Sequence, residues 1–161
     1  MKRKIDFNYN DETGYTKATL TTKYGTFIGE AQIHPDDPFT PSYSVGMRIA
    51  EARAYINLYN KCIADKKIEI KGIKRLLNAI PKSEYKSYSY AEKLYLAMLI
   101  ELNDLYAARK EVRTTVNETI RARSIYIRSR QTDREEKAKF EKQLQKAFAA
   151  LSATDNKDKT D

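Results

Sequence analysis

The second half of the chain lacks the two residue types that most strongly interrupt regular structure. The protein has five glycines and four prolines in 161 residues, and none of them lies after Pro81. The stretch that follows is rich in Ala, Leu, Glu, Lys and Arg, which are good helix formers. The sequence therefore predicts a turn-rich first half and long helices in the second.

Residues that carry chemistry are also scarce, because His34 and Cys62 are the only histidine and the only cysteine. A single cysteine excludes an intramolecular disulfide, which fits a reducing cytoplasm. His34 with Asp36 and Asp37 lacks the spacing of a metal site. The sequence has no glycine-rich phosphate loop and no zinc-binding helix motif. It predicts a protein that is not an enzyme and that has no cofactor and no metal.

Long apolar runs are missing as well, since no window approaches the ~20 apolar residues that span a bilayer. The basic start of the chain has no apolar run behind it, unlike a signal peptide. A cytoplasmic protein without a membrane segment is expected. The net charge of +8 favours a polyanionic partner or an acidic protein surface, although a well-solvated basic surface explains it equally well.

The first third of the chain has the pattern of a small β-sheet. Ile5, Phe7 and Tyr9 alternate with polar residues, which is typical of a half-buried strand. Turn residues around Gly14 and Gly25 separate this strand from two more. The sequence predicts a three-stranded antiparallel sheet over residues 3–33, with one apolar face that helices must cover.

Two helices are predicted next. Apolar residues recur at steps of three and four from Val45 to Ile63, which predicts a helix over residues 44–66 that covers the sheet. The pattern loosens after Ile63 and resumes over residues 68–80, where Gly72 weakens a second helix and Pro81 ends it. With the sheet, these helices form a predicted α+β platform over residues 1–81.

A long helical arm is predicted over residues 82–151. Ser89 and Glu92 have the spacing of a capping box, and the apolar steps that follow are typical of a coiled coil or of a helix in a bundle. A helical hairpin within one chain and a self-associating coiled coil both fit, and so do one helix or two with a hinge near residues 131–134. The last residues, 152–161, are predicted to be a disordered tail.

The basic part of this arm is the candidate contact surface. Residues 121–130 hold four arginines and no acid. The guanidinium group matches phosphate and stays charged, Tyr126 has a ring on which an exposed base can stack, and tyrosines are common at protein interfaces. The candidate residues for contact with a protein or nucleic acid are Tyr88, Tyr95, Arg109, Lys110, Arg113, Arg121, Arg123, Tyr126, Arg128 and Arg130.

Two stretches carry a resemblance. Residues 23–37 contain a G-T-F-x-G-x-A strand followed by an H-P-x-D loop, and residues 46–54 contain an A-E-x-R-A helix. This pattern resembles small uncharacterised accessory proteins of phages and mobile elements in Gram-positive bacteria. The resemblance lies within the first 60 residues. It implies a setting inside a bacterial host cell, and it implies no activity and no site residues.

These observations lead to three functional hypotheses. The first is a non-enzymatic accessory protein that binds and blocks a host protein, such as a defence nuclease or its nucleoprotein complex, in the manner of an anti-CRISPR inhibitor. The second is direct DNA or RNA binding through the basic helix 109–130. The third is a coiled-coil scaffolding protein. A homo-oligomer is expected in each case.

Overall fold

The computed structural model describes residues 4–34 and 42–155, with the side chains of the last helix described up to residue 147. It contains three strands and two helices in the order β1 (Lys4–Asn10), β2 (Tyr15–Thr22), β3 (Gly25–Ala31), α1 (Tyr43–Ala79) and α2 (Tyr85–Asp155). The predicted α+β class, with a three-stranded sheet followed by long helices, is confirmed. The chain forms two compact units, Met1–Ile120 and Arg121–Asp161.

The three strands form an antiparallel meander in the order β1-β2-β3. The first turn closes through the Asn10 side chain, whose Oδ1 accepts hydrogen bonds from the backbone N–H groups of Glu12 and Thr13 at 3.0 and 2.9 Å. Gly14 and Gly25 have φ values of 63° and 123°, which L side chains rarely adopt. Both predicted turns therefore contain a glycine with positive φ.

The core of the first unit lies between the sheet and α1. Thr16, Ala18 and Leu20 of β2 are fully buried, and α1 contributes the buried residues Ala50, Ala54 and Leu58. The small residues let the helix backbone approach the sheet closely. A Cβ atom at Gly29 of β3 would overlap the carbonyl oxygen of Ala50 and the backbone nitrogen of Ala54. Glycine is therefore required at this position by the closeness of α1.

Two polar side chains of α1 also fix the helix over β3. Arg53 donates a hydrogen bond to the carbonyl oxygen of Glu30, and Asn57 donates one to the carbonyl oxygen of Ile28 at 2.8 Å. These bonds join the helix to the backbone of the strand. They therefore fix the position of α1 along β3, which the apolar contact alone does not specify.

The prediction of separate helices over residues 44–66 and 68–80 is wrong, because α1 runs without a break from Tyr43 to Ala79. Residues 64–67 are compatible with helix, and ion pairs of 2.7 Å join Lys61 to Asp65 and Lys66 to Glu69 across this stretch. Gly72 costs the helix about 1 kcal/mol relative to alanine, which the rest of a 37-residue helix tolerates.

α1 is buried on two opposite sides. Ala50, Ala54 and Leu58 face the sheet, whereas the buried Ala52 and Ile63 lie on the other side of the helix. The apolar residues predicted to cover the sheet thus divide between the two sides, and Ile49 packs against the core at the sheet while Ile63 does not belong to it. Ile63, Ile70 and Leu77 are seven residues apart and share the second side, so this side stays covered after Ile63 and the helix itself continues.

The second side of α1 meets the first part of α2. Arg109 Nη1 donates a hydrogen bond to Asn60 Oδ1 at 2.9 Å, and Lys66 Nζ lies 2.8 Å from Glu101 Oε2. Later residues of α1 therefore meet earlier residues of α2, which is the antiparallel order of a helical hairpin. Ala91 and Val116 of α2 are buried. The helical hairpin, one of the predicted arrangements, is the one observed.

α2 also continues further than expected. It begins at Tyr85 and passes through residues 131–134 without the predicted hinge, because this stretch has no glycine or proline and the Thr132 hydroxyl donates to the carbonyl oxygen of Arg128 at 3.1 Å. Residues 152–155, predicted to be disordered, belong to the helix. The rest of the predicted tail, residues 156–161, lies outside the described residues.

The boundary between compact units also differs from the predicted one at residue 81. The first unit extends to Ile120 because the first part of α2 packs along α1.

Candidate binding surfaces on α2

The first candidate surface lies on the solvent side of α2 within the unit Met1–Ile120. Tyr85, Leu96 and Ile100 are 75%, 53% and 63% exposed, and we call these three residues the outer α2 face. At 100° per residue they lie well away from the buried Ala91. Large apolar side chains grouped on the solvent side of a packed helix are typical of interaction surfaces.

Two tyrosines predicted to make partner contacts lie elsewhere on the helix. Tyr88 and Tyr95 are half-buried, three residues before and four residues after the buried Ala91, so they belong to the side of α2 that packs. The exposed tyrosines near the helix start are Tyr85 and Tyr90. The helical period separates the two pairs only once the burial of Ala91 is known.

The side chain of Arg109 makes its contacts within the first unit. Besides its hydrogen bond to Asn60, its Cζ lies 5.2 Å from the centre of the Tyr106 ring, a cation–π distance. Arg109 therefore has partners on both α1 and α2. Lys110 and Arg113, the other candidates in this part of α2, are exposed.

The four arginines of residues 121–130 divide between two sides of α2. Arg121 and Arg128 are exposed and share one side. Arg123 and Arg130 lie roughly opposite, where their Cζ atoms are 5.2 and 5.7 Å from the ring centre of Tyr126. Tyr126 thus contacts the second pair.

Tyr126 thus has a partner within its own helix. Arg130 Nε donates a hydrogen bond to the Tyr126 hydroxyl at 3.4 Å, and this bond is the main reason that the pKa of Arg130 is raised above its ordinary value. This hydrogen bond therefore favours the charged form of Arg130. The ring of Tyr126 contacts arginine on the same side of α2, so base stacking on it competes with these contacts.

The described residues include no candidate metal site. No group of three or more His, Cys, Asp and Glu side chains lies close enough there to hold a metal ion. Cys62 is half-buried, and burial is the main cause of a raised pKa, to which the negative charge of Asp65 adds. The thiol is therefore a weak nucleophile at neutral pH.

No helix in the described part of the chain has the length and apolar character needed to cross a membrane. Comparison of the chain with known proteins finds no matching family model, no matching curated protein and no matching solved structure. Function is therefore inferred from the chain's own surfaces.

Proposed function

We propose that this protein binds and blocks a host protein, as a non-enzymatic accessory protein of a phage or mobile element inside a bacterial cell. The host protein would be a defence nuclease or a component of its nucleoprotein complex. The observation that carries the proposal is the outer α2 face, where Tyr85, Leu96 and Ile100 are all more than half exposed.

The energetic argument starts from the apolar area of these side chains. Burying one large apolar side chain stabilises a complex by about 1.5–3 kcal/mol, so this face offers enough for the centre of a protein interface. Aromatic residues are also enriched where most of the binding energy resides. The face thus has the chemistry of a protein-binding surface.

The face is also held in place before any partner arrives. The first part of α2 is fixed to α1 by the Lys66–Glu101 ion pair and the Arg109–Asn60 hydrogen bond. A rigid surface loses little conformational entropy on binding, so more of its contact energy contributes to affinity. The net charge of +8 further favours association with an acidic partner.

The cellular setting comes from the resemblance of residues 23–37 and 46–54 to phage and mobile-element accessory proteins. Small proteins of that setting that lack an active site commonly act by occupying a surface of a host complex. A helix face that needs only contact area suits such blocking.

The test uses two matched double variants of the full-length protein. Leu96→Asp with Ile100→Asp alters the outer α2 face. Ile68→Asp with Leu76→Asp makes the same chemical change at exposed apolar residues of α1, which are 71% and 50% exposed. Circular dichroism checks that both remain folded.

The expected result is that wild-type protein captures one discrete host protein and inhibits its activity when purified. The outer-face variant should lose at least about 30-fold in affinity, the level of a binding hot spot, while the α1 variant binds as wild type does. Equal binding by both variants, or equal loss, contradicts the proposal. A change in oligomeric mass without a host partner would reassign the face to self-association, as in the scaffolding hypothesis.

A further inference from the structure

We infer that residues 121–146 of α2 carry a second binding surface, which recognises the phosphate backbone of a nucleic acid. Its members are Arg121, Arg128, Lys139 and Lys146, which we call the basic line. This inference goes beyond the proposed function and does not depend on it, because the outer α2 face belongs to the other compact unit.

The basic line follows from the helical period. Its members are 7, 11 and 7 residues apart, and at 100° per residue these intervals keep all four within about 20° of one another around the helix. At 1.5 Å per residue the successive separations along the axis are about 10.5, 16.5 and 10.5 Å. The absence of a hinge at residues 131–134 is decisive, because a break there would remove Lys139 and Lys146 from the line.

All four side chains are available to a ligand. Each is exposed, and within residues 4–34 and 42–147 none of the four forms an ion pair. Arg123 and Arg130 differ, because they lie near the Tyr126 ring on the far side of the helix. The far side also carries Arg134 and Lys137, so the two sides differ in the neighbours of their cations and not in the number of cations.

Acidic residues are mostly kept away from this side. Residues 121–146 contain Asp133, Glu135, Glu136 and Glu141. Only Glu135 lies within about 30° of the basic line, and the other three are at least about 70° away. Glu135 precedes Lys139 by four residues, an arrangement that supports the helix and weakens the positive field at the middle of the line.

The pattern of the line fits a nucleic acid better than other anionic partners. The phosphates of a nucleic acid repeat regularly over a long distance, and a straight row of cations can contact them without reading bases. A membrane surface would need a broad apolar face beside the charges. The exposed Phe140 and Leu144 lie more than about 100° from the line, and Asp133 and Lys137 interrupt their side of the helix.

The mode of recognition follows from what the line lacks. It contains no aromatic residue, and Tyr126 lies about 150° away around the helix. The cations of the basic line are thus placed to contact phosphates, which carry no sequence information. Binding should be independent of sequence and strongly dependent on salt.

The test measures fluorescence anisotropy of labelled 20-base-pair duplex DNA, duplex RNA and single-stranded DNA with purified full-length protein. Arg121→Gln with Arg128→Gln removes half of the line. Arg123→Gln with Arg130→Gln is the matched control, with the same residue types, the same spacing of seven and the same loss of charge on the opposite side. Lys139→Gln with Lys146→Gln tests whether the line continues past residue 134.

The line variants should each lose about tenfold or more in affinity at low salt, and the control less than about threefold. On duplex DNA, each lost phosphate contact lowers the slope of log affinity against log salt by about 0.9, so a double line variant should lower it by about 1.8. Glu135→Gln should increase affinity. The three nucleic acids distinguish duplex from single-strand and DNA from RNA binding.

Several outcomes overturn the inference. Equal losses in the line variant and the control would mean that only net charge matters. No binding by the wild type at low salt rejects the surface altogether, and binding to phosphatidylserine vesicles with no nucleic-acid binding would assign it to membranes. The variant Leu96→Asp with Ile100→Asp should bind nucleic acid as wild type does, which separates a failure here from a failure of the proposed function.

Discussion

α2 belongs to both compact units of the chain, and its side chains are covered very differently in each. Up to Ile120, residues at steps of three and four are buried or half-buried, with Ala91 and Val116 the most covered. From Arg121 to residue 147 none is buried, and only Arg123 and Ile127 are half-buried. One helix thus includes a part that is packed and a part that is surrounded by solvent.

The difference shows two sources of helix stability. The first part is stabilised by tertiary contacts with α1, which supply most of the stability of helices in folded proteins. The second part depends on intrinsic propensity and on contacts within the helix, such as those of Arg123 and Arg130 with Tyr126. The packed part can therefore offer a rigid apolar surface, whereas the solvated part offers charge.

The largest expected effect comes from disturbing the packed unit at Gly29. Gly29→Ala should destabilise the first unit by about 3 kcal/mol, because the new Cβ overlaps backbone atoms of α1 that cannot move independently. Gly72→Ala is the control, since a Cβ there meets nothing within 4 Å, and it should stabilise α1 by about 0.5–1 kcal/mol. Urea unfolding measures both, and a stable Gly29→Ala variant would show that the contact between α1 and β3 is looser than described.

A proline placed in each part of α2 tests the comparison directly. Ala107→Pro in the packed part should reduce the free energy of unfolding of the first unit by about 3 kcal/mol. Ala138→Pro in the solvated part should reduce the helical signal at 222 nm and leave that free energy within about 0.5 kcal/mol of wild type.

Both substituted alanines are exposed, so neither variant loses a buried side chain. Similar losses of thermal stability in the two variants would contradict the division of α2 into a packed and a solvated part.

The smallest effect concerns the ion pair between α1 and α2. A double-mutant cycle with Lys66→Met and Glu101→Gln should give a coupling energy of about 0.5–1 kcal/mol, because both side chains are partly exposed. Zero coupling would mean that this ion pair does not contribute to the contact between α1 and α2.

The pH dependence of this pair has a definite sign. Hydrogen bonds to Glu101 and then to Glu69 raise the pKa of Lys66 above its ordinary value of 10.5. A raised lysine pKa stabilises the fold fully below 10.5, and this contribution is lost only as the pH rises through the raised value. The coupling energy measured at pH 7 should therefore be unchanged at pH 9.

The sheet was predictable from sequence because its signals are local. Gly14 and Gly25 mark the turns, and the alternation of Ile5, Phe7 and Tyr9 marks a strand with one covered side. The continuity of α1 was not predictable in the same way. The apolar pattern loosens over residues 64–67, and such a polar stretch resembles the end of a helix when only the sequence is read.

The candidate surfaces were predictable only in part. The helical period alone places Arg121 and Arg128 together, but Lys139 and Lys146 join them only if the helix is unbroken, and a polar stretch gives no evidence of that. The outer α2 face was missed because both sides of α2 carry large apolar residues. Nothing in the sequence shows which of the two sides α1 covers.

The contact between α1 and β3 has a further consequence for the behaviour of the protein in concentrated solution. An unpaired strand at the border of a sheet can recruit strands of other molecules and start aggregation. Arg53 and Asn57 already occupy the carbonyl oxygens of Glu30 and Ile28, which an incoming strand would need. At the opposite border, the charged Lys4 and Asp6 of β1 oppose the same event. The small sheet is thus protected at both borders against growing into a fibril.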